Sequence, residues 1–372
     1  MQYIKQLDSL RAIAVLLVVI SHWIPKKFMI HILPTGQVGV DMFFVLSGFL
    51  ITAILFNARE KAVLKGVTSS TIIKSFYIRR ALRIFPIYYI TIIVLYQLGP
   101  STGTAIREAF IYFATYTSNF YFFSIGKWDG IVSHLWSLAV EEQYYLIWPW
   151  IVLWCRKKYM LPMIILFIAI GIGSQWLLGD VGKARVLTFT SFDAFGLGSL
   201  LAWVITYKIN SFKKFYQILS IISIVVFCYA IMSFTLQSWH VLSIRTTTSI
   251  LTLWIVAFIY KNKESDSYVF NYFWNNQFLI FIGKISYGIY LYHLILPTLI
   301  TSAFIEPYFN DYLIELFSLK YPLLLVLIEN TIIVISFSWL SYRLVELPFL
   351  SLKKHFQYVT GTGNNSRSLK TE

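Results

Sequence analysis

Apolar stretches long enough to cross a lipid bilayer recur along the whole chain. A hydrocarbon core about 30 Å thick is crossed by roughly 20 apolar residues in a helix. Hydrophobic residues make up 58% of the 372-residue sequence and charged residues only 13%, which is far from the composition of a soluble domain. The sequence therefore predicts an all-α membrane protein with about ten transmembrane helices. The predicted spans are roughly 10–25, 36–57, 84–99, 134–155, 160–179, 186–207, 214–235, 240–261, 277–305 and 320–346.

The basic residues are distributed unevenly between the two ends of these spans. If the N-terminus is cytoplasmic, 23 of the 31 Lys and Arg residues fall on the cytoplasmic side, as the positive-inside rule requires. The eight on the other side are Lys26, Lys27, Arg107, Lys127, Lys183, Arg185, Arg245 and Lys320. Both termini are therefore predicted to be cytoplasmic. The net charge of +14 does not indicate nucleic-acid binding, because no soluble basic face is predicted.

The two ends of the chain are predicted to differ. Residues 1–10 carry Asp8 and run directly into the first span, which favours a retained helix over a cleaved signal peptide. Residues 1–350 are predicted to form the transmembrane domain, and residues 351–372 a polar cytoplasmic tail. Segment 108–125, rich in Tyr and Phe and carrying Asn119, is predicted to be interfacial or re-entrant. Two cysteines without zinc spacing predict neither a disulfide nor a metal site.

Two carboxylates lie inside one of the apolar stretches, at Glu141 and Glu142. An ionisable group at membrane depth is costly unless it is paired or faces a polar cavity, so it is a functional candidate. On a helix His134, Ser137, Glu141 and Tyr145 share one face. We predict that this face borders a cavity within the bilayer, and that Glu141 rather than Glu142, which is rotated by about 100°, points into it.

The first span places an ion pair and a histidine on one helix. Asp8 and Arg11 have the i, i+3 spacing of an ion pair. His22 lies eleven residues beyond Arg11, roughly 16 Å along a helix at about 1.5 Å per residue. A lone histidine in a soluble core is usually structural, but at membrane depth a functional role is favoured. Imidazole is the side chain best suited to proton transfer near neutral pH.

Three arginines precede Pro86 at the cytoplasmic end of the third span. Topology alone accounts for Arg79, since basic residues anchor helices on the inside. Arg80 and Arg83 are three residues apart and share a face, which topology does not require. Two guanidinium groups on one face would suit a phosphorylated ligand, although topology remains an alternative explanation for them.

Other polar positions have plainer explanations. Asp41 fits the start of a helix, and Gly48 next to Ser47 favours close helix packing. Tyr287 and His293 lie on the ninth span, where tyrosine is partly typical of the membrane interface. The sequence contains no P-loop, no G-x-S-x-G and no H-E-x-x-H motif, so ATP-driven transport and zinc-dependent hydrolysis are not favoured.

Taken in order, the motifs resemble those of the acyltransferase-3 family. The matching segments are 7–14 with His22, 38–50, 79–86, 118–119, 134–145, 285–293 and 345–348. Together they cover roughly residues 5–350. The Glu-Arg-Pro that the family usually carries near its end is Glu346-Leu347-Pro348 here, a departure that concerns only the terminal element.

The resemblance implies a ten-helix enzyme of the bacterial inner membrane that O-acylates envelope carbohydrates. The acceptor would be a polysaccharide, peptidoglycan or a lipid-linked sugar, and acetyl-CoA from the cytoplasm would be the acyl donor. Some members carry an additional periplasmic SGNH-hydrolase domain. This sequence stops at residue 372, so we expect a stand-alone membrane acyltransferase without metal.

We assign residue roles on that basis. His22 is the expected general base for the acceptor hydroxyl, and Glu141 is expected to orient or charge it; a covalent acyl-histidine is left open. Coenzyme A is a polyanion, and we assign its phosphates to Arg11, Arg80 and Arg83. The residues expected to line or support the cavity are Asp8, Asp41, Ser47, His134, Ser137, Tyr145, Tyr287 and His293.

The sequence leaves two classes of protein other than an acyltransferase as alternatives. A transporter or flippase of a lipid-linked sugar would use the same charges as a translocation path, but it should show paired broken helices in two halves, and none are evident. A non-catalytic membrane scaffold gives no reason for His22 and Glu141.

Overall fold

The computed structural model describes residues 3–25, 33–179, 181–236, 241–310 and 322–358, and within these ranges the chain is helical without strands. Lys26, Lys27, Lys320, the first residues of the eighth and tenth predicted spans, and tail residues 359–372 lie outside them. The longer helices are α1 Gln6–Trp23, α2 Thr35–Lys65, α3 Ser69–Leu98, α6 Leu135–Trp154, α7 Met160–Leu178, α8 Phe192–Tyr207, α9 Phe212–Thr235 and α10 Ile244–Lys261.

Shorter helices complete the fold. They are α4 Phe110–Ala114, α5 Ser118–Ile125, α11 Tyr268–Trp274, α12 Gln277–Lys284, α13 Ser286–Tyr292, a π-helix at Pro297–Asn310, α14 Pro322–Ser341, a π-helical turn at Tyr342–Glu346 and α15 Leu347–Ser351. The predicted interfacial segment 108–125 is occupied by α4 and α5.

Seven helical stretches in the described part are long and apolar enough to cross a membrane. They are Gln6–Trp23, Thr35–Lys65, Ser69–Thr102, Lys157–Leu178, Thr188–Tyr207, Ile209–Thr235 and Leu323–His355. The other three predicted spans coincide with α6, which carries two glutamates, with α10, and with the interrupted series from α12 through the first π-helix. The protein is thus an all-α, multi-pass membrane protein, while the count of ten and the side of each terminus stay predictions.

The third helix begins much earlier than its hydropathy indicated. It starts at Ser69 rather than near 84, because Thr68 caps it by accepting a hydrogen bond from the Thr71 amide at 3.4 Å. The polar first half of the helix extends beyond the apolar stretch, so the arginines that precede Pro86 lie within the helix. Arg79 donates to the carbonyls of Lys353 and Phe356 at 2.9 and 3.2 Å, which fixes the end of the described chain on α3.

Glycines allow the central helices to cross at close range. In α2, Gly48 lies directly against the backbone of Phe195 in α8, and Gly198 of α8 lies against the Val45 carbonyl. In the same way Gly283 of α12 packs on the Asp8 carbonyl of α1. The packing role predicted for Gly48 is confirmed, since no side chain fits between these backbones.

Substituting Gly48 by valine should destabilise the protein by about 2–3 kcal/mol or more, because the added carbons would overlap the Phe195 backbone. Gly173→Val in α7 is the matched control, since nothing lies within 4 Å of a Cβ at that position. Thermal unfolding in detergent, followed by size-exclusion fluorescence, measures both variants. Equal melting temperatures for the two would contradict the proposed close contact.

Candidate active site

Three cavities lie one after another between the helices. The N-side cavity, at the end where α1 begins, is bordered by Tyr3, Arg79 and Lys353 and has a volume of about 290 Å³. The inner cavity, about 90 Å³, lies between α1, α2, α3, α6 and α13. The far cavity, about 500 Å³, opens where α1 ends and is bordered by His22 and Trp128.

Neighbouring cavities share wall residues. The N-side and inner cavities have Arg11, Leu50, Arg80 and Arg83 in common. The inner and far cavities meet at Val40 and Tyr290. The three cavities therefore follow one path through the helix bundle, and the polar groups predicted from sequence are distributed along it.

The three arginines assigned to the donor converge where the N-side and inner cavities meet. Arg11 pairs with Asp8 at 2.9 Å, and Asp8 also accepts a hydrogen bond from Tyr3. The Arg80 guanidinium lies 4.4 Å from the centre of the Tyr145 ring, a cation–π contact. Arg83 has no hydrogen-bond or ion-pair partner among the described residues. Asp8 is the one Asp or Glu in the described lining of the N-side cavity, so the guanidinium groups on that side favour an anionic ligand.

Arg83 also has a carboxylate neighbour that sequence reasoning left out of the site. The charges of Arg11, Arg80 and Glu346 act on Arg83, and Glu346 is the carboxylate among them. Glu346 is buried, and its Oε1 has no hydrogen-bond partner among the described residues. The Glu346-Leu347-Pro348 segment thus lies near the arginine cluster, a contact between distant helices that spacing within one helix does not predict.

Glu141 is held in the inner cavity by two hydroxyl groups. Ser47 donates to its carboxylate, and Tyr145 donates to the same oxygen at 2.5 Å. Two donors on one oxygen stabilise the ionised carboxylate. The prediction that Glu142 points away is wrong, because Glu142 borders the same cavity. The inner cavity borders a wide strip of the α6 surface, so residues about 100° apart around the helix both line it.

The face predicted on α6 runs along the cavities. Ser137, Glu141 and Tyr145 border the inner cavity, and His134 borders the far cavity. Ser137 is hydrogen-bonded to the Tyr290 hydroxyl at 2.5 Å. The predicted cavity residue Tyr287 borders the inner cavity and donates to the Ile84 carbonyl at 3.2 Å.

A cluster of three histidines lies at the far cavity. His22 Nδ1 is 3.0 Å from the Val18 carbonyl and 3.2 Å from His293 Nε2. His293 Nδ1 lies 2.7 Å from the Tyr290 carbonyl, so it must donate there, which leaves its Nε2 as an acceptor. The ring of His134 lies 4.9 Å from that of His293, centroid to centroid.

These contacts fix the tautomer of His22. Its Nδ1–H donates towards Val18 and His293, so Nε2 carries the lone pair. The side chain is exposed on the wall of the far cavity, where Nε2 can accept a proton. Trp23 Nε1 donates to the His293 carbonyl at 2.7 Å, which holds the end of α1 against the chain after α13.

The expected direct contact between Glu141 and His22 is not formed in the described structure. Glu141 bonds to Ser47 and Tyr145 in the inner cavity, whereas His22 bonds to main-chain and side-chain groups at the far cavity. The side chain that contacts His22 is therefore His293, 271 residues away in sequence, and not Glu141.

Asp41 does not border any of the three cavities and is fully buried. It pairs with Arg245 at 2.9 Å, and the exposed fraction of both side chains is 3% or less. Arg245 in turn borders the far cavity. Asp41 therefore does not lie at a helix start, because α2 begins at Thr35, and it does not line a cavity. Arg245 escaped sequence analysis because the pair spans 204 residues.

The fold and the path of cavities define a multi-pass membrane protein with polar side chains, among them His22, along a path between its helices. Among the described residues no group of three or more His, Cys, Asp or Glu side chains has the geometry to hold a metal ion. The acyltransferase-3 family model, described as an acyltransferase domain, matches residues 4–343. The chain belongs to this family.

Several proteins similar to this chain are named as O-acetyltransferases. A Staphylococcus aureus strain COL protein named "Putative O-acetyltransferase" is 30% identical over 94% of this chain and 58% of its own length. The peptidoglycan O-acetyltransferase OatA of Listeria monocytogenes is 31% identical over 81% of this chain and 50% of its own length. This chain spans about half the length of these relatives. No solved structure matches it significantly.

Removing the Asp41 carboxylate should destabilise the fold strongly. Asp41→Asn leaves the buried Arg245 guanidinium without its ion-pair partner, and breaking a buried pair in this way costs about 3–5 kcal/mol. The control is Lys157→Gln, which breaks the exposed pair with Glu60 at 3.3 Å and should cost less than about 1 kcal/mol. Thermal unfolding compares the two, and similar melting temperatures would show that the buried pair contributes little.

Proposed function

We propose that the protein is an O-acyltransferase that moves an acyl group, most simply acetyl, from cytoplasmic acyl-CoA to a hydroxyl of an envelope carbohydrate. The observation that carries this proposal is the path of cavities with an arginine cluster at one end and His22 at the other. We further propose ten spans with both termini cytoplasmic, in the inner membrane of a bacterium. In that topology the N-side cavity faces the cytoplasm and the far cavity faces the envelope.

The arginine cluster supports binding of the donor from the N side. Arg11, Arg80 and Arg83 border both the N-side and the inner cavity, where their guanidinium groups would bind the phosphates of coenzyme A. Arg11 and His22 are eleven residues apart on α1, roughly 16 Å at about 1.5 Å per residue. An extended pantetheine arm lying in the narrow inner cavity would carry the thioester from the cluster towards His22.

His22 acts in this proposal as the general base. Its Nε2 takes the proton from the acceptor hydroxyl while the hydroxyl oxygen bonds to the thioester carbonyl carbon. The carbon–sulfur bond then breaks, and the imidazolium returns the proton to the leaving thiolate, so coenzyme A departs as the thiol. His293 Nε2, 3.2 Å from His22 Nδ1, accepts a hydrogen bond from the Nδ1–H group throughout and stabilises the imidazolium.

Glu141 has a different role from the one its sequence position suggested. It bonds to Ser47 and Tyr145, and Tyr145 lies beneath the Arg80 guanidinium. We propose that Glu141 positions this tyrosine and arginine along the path of the donor arm, rather than charging His22. The relatives named as O-acetyltransferases support acetyl as the acyl group.

We expect some substitutions to weaken donor binding and others to slow acyl transfer. Arg83→Ala should weaken acetyl-CoA binding by about 1.5–3 kcal/mol, the contribution of a charge-assisted hydrogen bond. Isothermal titration calorimetry with the purified protein measures this change. Arg343→Ala is the control, since Arg343 is exposed on the N side and borders none of the three cavities. Unchanged affinity in the Arg83 variant would remove the donor assignment.

His22→Ala should leave acetyl-CoA affinity near that of the unaltered protein and lower turnover by roughly 10²–10⁴, the range for a lost general base. Transfer of radiolabelled acetyl to envelope glycan fragments measures turnover, and His22→Gln repeats the test with a closer fit to the cavity. Acid quenching during turnover also reports whether label stays on the protein, which would indicate an acyl-histidine. Normal turnover in a folded His22 variant would remove the catalytic histidine from the mechanism.

A further inference from the structure

The far cavity presents positive charge and no carboxylate. Its described lining includes Arg185, Arg245 and His22, with no Asp or Glu among the described lining residues. A neighbouring cavity that shares Gln37, Arg185 and Arg245 is equally free of carboxylates in its described lining. The surface of this end of the path therefore suits an anionic ligand.

The two arginines of the far cavity differ in how they are satisfied. Arg245 is buried and saturated: it donates to Asp41, to the carbonyls of Arg185 and Thr190, and to Ser191, each at 3.0 Å or less. The Arg185 side chain is exposed, and its guanidinium has no hydrogen-bond or ion-pair partner among the described residues. Arg185 thus keeps five donors free for a ligand.

Three carboxylates lie near the far cavity without bordering it. Asp129, next to the lining residue Trp128, accepts a hydrogen bond from the Ala105 amide at 3.1 Å. Asp41 and Asp193 are fully buried behind the wall and border neither cavity. Asp41 faces Arg245, and Asp193 accepts a hydrogen bond from Thr246 at 2.6 Å. Lys183 adds a further positive charge at the mouth, where its Nζ lies 4.3 Å from the centre of the Trp128 ring.

The main chain that carries Arg185 is fixed on three sides. Its carbonyl accepts from Arg245 at 3.0 Å and from Thr190 at 3.3 Å. The next carbonyl, that of Val186, accepts from Asn119 at 3.3 Å, and Asn119 is tied to Gln143 of α6 at 2.9 Å. An anion-binding side chain on a fixed main chain is preorganised for its ligand.

We propose that the far cavity binds an anionic sugar, and that Arg185 recognises its negatively charged substituent, a carboxylate or a phosphate. The cavity also holds His22, so one bound saccharide can place its charged group at Arg185 and a hydroxyl at His22. Trp136 borders the cavity and offers an apolar surface to the sugar ring, while the Trp128 ring lies against the cationic groups of Lys183 and Arg185 at 4.3 and 5.9 Å. A volume of about 500 Å³ is in the range of small-ligand sites. This inference rests on the proposed acyl transfer, whose acceptor it defines.

The test compares three oligosaccharides of equal length with the purified full chain in lipid nanodiscs. They are a galacturonic acid trisaccharide, its carboxyl-reduced neutral counterpart and a monophosphorylated form of the neutral one. Microscale thermophoresis measures binding, independently of any transfer. We expect one or both anionic forms to bind roughly 10- to 100-fold more tightly than the neutral sugar, the effect of a charge-assisted hydrogen bond. The tighter of the two identifies carboxylate or phosphate as the natural group.

Variants test whether the preference for anionic sugars depends on Arg185. Arg185→Gln should remove it, Arg185→Lys should keep part of it, and Lys127→Gln should leave it unchanged, because Lys127 is exposed on a nearby loop and borders neither cavity. Equal binding of neutral and anionic sugars, or a preference that survives Arg185→Gln, would overturn the inference. Failure of acetyl transfer to every sugar would instead count against the proposed function, since the binding preference is measured without it.

Discussion

The cost of placing charge away from water governs this structure more than any other constraint. A guanidinium or carboxylate at membrane depth is tolerated when it is paired or faces a polar cavity. Asp41 and Arg245 meet the first condition, being almost fully buried and 2.9 Å apart. Glu141, Arg80 and Arg83 meet the second, since they border a cavity. A path of polar groups therefore runs through a helix bundle whose core is otherwise apolar.

Glycine makes that interior compatible with tight packing. Close crossings at Gly48, Gly198 and Gly283 bring α1, α2, α8 and α12 together at the backbone level. Packing and site are therefore linked, because a wider crossing would move α1 and α2, which carry Arg11, His22 and Ser47.

Sequence predicted those features that depend on spacing within one helix. The shared face of Ser137, Glu141 and Tyr145 follows from a period of 3.6 residues and is found along the inner cavity. Contacts between distant helices carry no such period. His22 meets His293 across 271 residues and Asp41 meets Arg245 across 204, so the partner of each had to come from the structure. Glu142 was missed for a different reason. A helical wheel predicts which residues share one line along a helix, whereas a cavity can be bordered by residues on either side of that line.

Tyr290 borders both the inner and the far cavity, and its hydroxyl is hydrogen-bonded to Ser137 at 2.5 Å. The inner cavity, about 90 Å³, is the smallest of the three, and Tyr290 lies where it meets the far cavity. Each 100 mV of membrane potential is worth about 2.3 kcal/mol per elementary charge, and a leak at this point would dissipate it. In the proposed topology the hydrogen-bonded Tyr290 stands between the cytoplasmic and the envelope side of the path, where it would oppose such a leak.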